Sequence, residues 1–96
     1  MTHVFVVETT RHFDRLFRKL AKQHPELPGH LAAITPILRS DPFNISRKHP
    51  IKKLINITDG NGAYRIRQGR FRFRYDVEIH NVYLKRCSLR REDTYQ

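Results

Sequence analysis

Ninety-six residues, 39% of them hydrophobic and including six phenylalanines and four tyrosines, are enough for one small domain with a modest core. The net charge of +10 favours an anionic partner, such as nucleic acid, an acidic protein segment or an anionic membrane surface. The single cysteine, Cys87, excludes an internal disulfide framework, and no stretch approaches the roughly 20 apolar residues of a membrane span.

Taken in chain order, His3 to Glu8 is a short β-branched and aromatic run that reads as a strand. Thr9 and Thr10 offer a helix N-cap. Phe13, Leu16, Phe17, Leu20 and Ala21 then recur at helical spacing, with Arg15, Arg18, Lys19 and Lys22 outside that stripe. Those four cations are either a plain solvated face or a docking stripe. Pro25 and Pro28-Gly29 break this helix. A second helix is expected from near Pro28, carrying Leu31, Ile34, Ile37 and Leu38, kinked at Pro36 or beginning late, and ending at Asp41-Pro42. Residues 43–62 read as a basic loop tethered by Ile51, Leu54, Ile55 and Ile57, with Gly60-Asn61-Gly62 as a turn. Three strands follow, Ala63 to Gln68, Arg70 to Val77 and Asn81 to Ser88, with turns at Gln68-Gly69 and Ile79 to Asn81. The expected fold is α+β, ordered β-α-α-β-β-β, with a small, mainly antiparallel sheet packed on two helices in one domain spanning 1–96.

Charge is uneven along this layout. Residues 1–43 carry six Lys/Arg and four Asp/Glu, whereas residues 44–96 carry thirteen and five. The concentration lies in the hairpin Tyr64-Arg65-Ile66-Arg67-Gln68-Gly69-Arg70-Phe71-Arg72-Phe73-Arg74-Tyr75. Successive side chains of a strand point to opposite faces. Tyr64, Ile66, Phe71, Phe73 and Tyr75 should therefore meet the helices, leaving the arginines on the open face. With nine acids against nineteen Lys/Arg, full internal pairing is impossible.

The chain resembles the RelE/ParE superfamily of type II toxin–antitoxin toxins. The resemblance rests on Phe17-Arg18-Lys19-Leu20, Asp41-Pro42-Phe43, Ile51-Lys52-Lys53-Leu54, the hairpin block, and the ending Arg90-Arg91-Glu92-Asp93-Thr94-Tyr95, in the family's order across nearly the whole chain. It implies the RelE-like fold and one of two activities. RelE-like members cut messenger RNA at the ribosomal decoding site without metal, whereas ParE-like members bind DNA gyrase. Both are held in hetero-oligomers by a cognate antitoxin; a third reading of this chain is an inactive toxin-fold protein that still binds an antitoxin. The hairpin block occurs in both branches. On the RelE-like reading, Arg65, Arg67 and Arg72 map onto the basic active-site positions, and Arg90 or Arg91 together with Tyr95 map onto the C-terminal catalytic pair. Lys52, Lys53, Arg70 and Arg74 are candidate RNA contacts.

The chemistry suits guanidinium. Attack of a 2′-hydroxyl on the neighbouring phosphate builds negative charge, and fixed, planar, bidentate cations stabilise it. Tyr95 could stack on a splayed base. Where many relatives carry histidine before the tail arginines, this chain has Leu89, so Glu92, Asp93, Tyr95 and His80 are the candidates for moving protons. His3, His12, His24, His30 and His49 lack metal-ligand spacing, and neither metal nor cofactor is expected. Val4 to Val7 is too short an apolar run for a signal peptide, so the chain reads as complete, cytoplasmic and unattached to membrane.

Overall fold

Thr10 opens the first helix, its side-chain oxygen accepting the Phe13 N–H at 3.2 Å while its own hydroxyl donates to the Leu84 carbonyl at 3.0 Å. One residue thus caps helix α1 (Arg11–Gln23) and ties it to the sheet. In the computed structural model, which describes residues 4–90, α1 buries Phe13 and rests Leu16, Phe17, Leu20 and Ala21 against the core. Helix α2 (Leu27–Ser40) begins with Pro28 in its first turn and runs through Pro36 to Ser40, burying Leu27, Ile34 and Leu38. Pro36 is exposed, so the helix continues past it on the solvent side.

The strands are β1 (Val6–Thr9), β2 (Ile51–Lys53), β3 (Tyr64–Gln68), β4 (Phe71–Glu78) and β5 (Asn81–Leu89). They form one mixed sheet in the order β1-β5-β4-β3-β2, with β1 parallel to β5 and all other pairs antiparallel. The α+β architecture holds, but the order is β-α-α-β-β-β-β. Strand β2 lies inside the segment expected to be loop. It is three residues long, two of them lysine, and so carries no alternation that a sequence could display. Of the expected tethers in this segment, Ile51 packs on the core, but Ile55 is 83% exposed.

The helices cover one sheet face. Ile66, Phe71, Phe73 and Tyr75 are fully buried there, with Val82, Leu84 and Cys87 from β5. Tyr64 is half-buried and stacks on Tyr75 at 5.7 Å between ring centres. The Tyr75 hydroxyl donates to the Pro42 carbonyl at 2.6 Å, which anchors the end of α2 to the sheet. Burial pushes the Cys87 thiol up to about 12, so it stays a packed, protonated side chain at neutral pH.

Two-residue turns join β3 to β4 and β4 to β5. Gly69 takes φ 59° in the first, as such turns require. The equivalent position of the second is Ile79, at φ 56° and 86% exposed. A β-branched residue at positive φ costs roughly 1–2 kcal/mol. Ile79→Gly is therefore expected to stabilise the protein, by about 0.5–1 kcal/mol after the added freedom of the unfolded chain is subtracted. Thermal unfolding checks this, and a lowered Tm would show that the turn is unstrained.

Candidate nucleic-acid interface

Strand pairing turns the arginines of the hairpin into rungs. Arg67 stands opposite Arg72, and Arg65 opposite Arg74. All four point away from the helices, because Ile66, Phe73 and Tyr75 between them point into the core. Side chains directly opposite on antiparallel strands lie about 5 Å apart at Cβ, and like charges there are destabilising. Each rung therefore brings two guanidinium groups within reach of a single anion. Arg67 is half-buried, and its Nε is shut off from solvent with no hydrogen-bond partner among the described residues. It therefore meets any anion through its terminal nitrogens.

The neighbouring strands widen this surface. Lys52 pairs with Arg65 and adds a cation on the β2 side. Lys53, one residue on, turns to the helix side and lies 5.8 Å from the centre of the Tyr64 ring. On the β5 side, Ser88 pairs with Arg72 and Arg86 with Arg74. Strict alternation from Val82 and Leu84 would send Arg86 to the core. The ladder slips between Arg74 and Tyr75, leaving Lys85 without a cross-strand partner. This bulge returns Cys87 and Leu89 to the core side and brings Arg86 to the open face. The sequence signal is the pair Lys85-Arg86, two adjacent cations interrupting an otherwise alternating strand.

Arg74 has a second role. Its Nε donates to the Gly62 carbonyl at 3.0 Å, while Asp76 accepts the Gly62 and Ala63 N–H groups at 3.0 and 2.8 Å. The two side chains clamp the Gly60–Gly62 turn onto the sheet. Gly62 sits at φ 82°, and a Cβ there would lie 2.9 Å from the Arg74 Cβ. The close approach that seats Arg74 thus requires glycine.

Arg70 does not share the open face, although alternation from Arg72 and Arg74 placed it there. It occupies the turn, 64% exposed, and reaches toward the α1–α2 connection. Its Nη2 lies 2.8 Å from His24 Nδ1 and 3.3 Å from a Glu26 carboxylate oxygen. His80 sits in the turn at the far end of the β4–β5 hairpin from Arg72, which separates this proton-carrier candidate from the Arg67–Arg72 rung. Arg90 follows β5 directly, and its N–H donates to the Arg70 carbonyl at 2.8 Å, so the chain leaves the sheet at the Gly69 end. Arg91, Glu92, Asp93 and Tyr95 lie outside the described residues.

No group of three or more His, Cys, Asp or Glu side chains among the described residues is arranged to hold a metal, and no helix there is long and apolar enough to cross a membrane. Comparison of the chain with protein-family models, with curated proteins and with solved structures finds no match.

Proposed function

We propose that this protein is a RelE-like toxin that cleaves messenger RNA on the ribosome without a metal, and that a cognate antitoxin neutralises it in a cytoplasmic hetero-oligomer. The observation that carries this reading is the pair of arginine rungs, Arg65–Arg74 and Arg67–Arg72, on the sheet face left open by the helices. Such an array fits a phosphate in the act of gaining charge. On this reading Arg65, Arg67 and Arg72 grip the scissile phosphate as the 2′-oxygen forms its bond to phosphorus and the 5′-oxygen leaves. Arg90 or Arg91 assists the leaving oxygen, and Tyr95 orients the nucleotide. Lys52 and Arg74 hold the flanking backbone.

A second reading is favoured by the composition of the rungs. Both are arginine throughout, and arginine binds anions without moving protons, since its pKa lies above about 12. A toxin that binds gyrase through this face needs no proton carrier. The two readings separate on induction of the gene without its antitoxin. The nuclease reading expects protein synthesis to stop first, with transcripts cut in the ribosomal decoding site. Loss of DNA supercoiling ahead of any translation defect would favour gyrase.

A further inference from the structure

The Arg86 side of the arginine face opens into a pocket of about 360 Å³, lined by Thr10, His12, Gly60, Asn61, Lys85 and Arg86. That volume falls at the small end of ligand sites, which run from about 300 to 1,000 Å³, and suits one nucleotide unit. Its chemistry is one-sided. Two permanent cations, an imidazole, an amide and a hydroxyl line it, and none of these six residues carries a carboxylate.

The walls of the pocket are built rather than incidental. Lys85 is the extra residue of the β5 bulge, and Arg86 directly follows it, so the bulge delivers two adjacent cations to one rim. Lys85 is half-buried, with its Nζ 5.7 Å from the centre of the Tyr83 ring, which limits where the ammonium can sit. The opposite wall, Gly60 and Asn61, belongs to the turn that Arg74 and Asp76 clamp to the sheet. Thr10, which also lines the pocket, is fixed to β5 by its N–H and hydroxyl, both donating to the Leu84 carbonyl. The pocket is also continuous with the rungs. Arg86 is the cross-strand neighbour of Arg74, one strand spacing of about 4.8 Å away.

We propose that this pocket binds one backbone phosphate of a single-stranded RNA whose adjacent phosphates lie on the arginine rungs. The proposal rests on the RNA-binding reading of the open face and gives it a direction, from the Arg67–Arg72 rung, across Arg65–Arg74, to Lys85 and Arg86. A free phosphate or mononucleotide shares the recognised chemistry, so the test has one arm for each source.

The first arm titrates the isotope-labelled full chain with inorganic phosphate and follows backbone amide shifts. Saturable shifts at His12 and Asn61 are expected, and they should vanish in the Lys85→Ala/Arg86→Ala variant. Wild-type shifts that do not saturate, or that persist in the variant, overturn the pocket. The second arm measures binding of a fluorescent RNA hexamer across salt concentrations. Each lost phosphate contact lowers the slope of log K against log[salt] by about 0.7 for a single strand. The double variant should therefore show a slope shallower by about that amount. An unchanged slope would overturn the path of the strand, even where free phosphate binds. Asn61→Asp places a carboxylate at the rim without touching the sheet, and it should weaken both readouts if the double variant does not fold. The phosphate arm needs neither ribosome nor cleavage, so its outcome is independent of the nuclease reading.

Discussion

Arg72→Ala is expected to reduce ribosome-dependent mRNA cleavage about 100- to 1,000-fold, the usual consequence of removing one fixed group aimed at developing charge. It should also abolish growth arrest on induction. Arg72 belongs to the open face, between the core residues Phe71 and Phe73 on its own strand and opposite Arg67 on the next. Its side chain is not part of the buried core, so the Tm should change little. Arg72→Lys keeps the charge but loses the bidentate fork, and it should fall between wild type and alanine. Cleavage assays on programmed ribosomes, paired with thermal melts, check both halves. Full cleavage by a folded Arg72→Ala protein would remove the arginine face from the chemistry.

Phe73→Ala should do the opposite. Phe73 has no exposed surface and packs against Phe13 of α1, with ring centres 6.5 Å apart. Truncating a buried phenylalanine costs about 3–5 kcal/mol, a large share of the 5–15 kcal/mol that holds a typical domain together. For a chain of this size, that corresponds to a Tm at least about 10 °C lower. Denaturant unfolding gives the direct measure, and a loss under about 1 kcal/mol would mean the core is not seated on β4 as described. Taken with Arg72→Ala, this substitution separates the two faces of one strand: neighbouring residues, one governing activity and the other stability.

The parts of the fold legible in the sequence are those where one period runs unbroken. Tyr64 to Gln68 and Phe71 to Tyr75 each alternate without a fault, and both the buried aromatics and the arginine rungs follow from them. The apolar stripe from Phe13 to Ala21 announces α1 in the same way. What escaped was set by the backbone. Strand β2 is only three residues long and is defined by its pairing with β3. Arg70 left the pattern because Gly69 and Arg70 themselves form the turn, so its side chain follows the loop to Glu26. Arg86 and Lys85 were hidden because a bulge resets the parity of β5 partway along, and parity is all that a reading by alternation uses.

That bulge can be considered as an insertion. Remove Lys85, and Leu84 and Arg86 become consecutive, facing Tyr75 and Arg74 in an uninterrupted ladder. Every core residue of β5 would keep its place in a strand one residue shorter. The hydrophobic interior therefore has no need of the extra residue. What the surplus residue supplies is local: a bend beside the Gly60–Gly62 turn and a cation at its edge. The extra residue thus shapes the pocket rim at Lys85 and not the core beneath it.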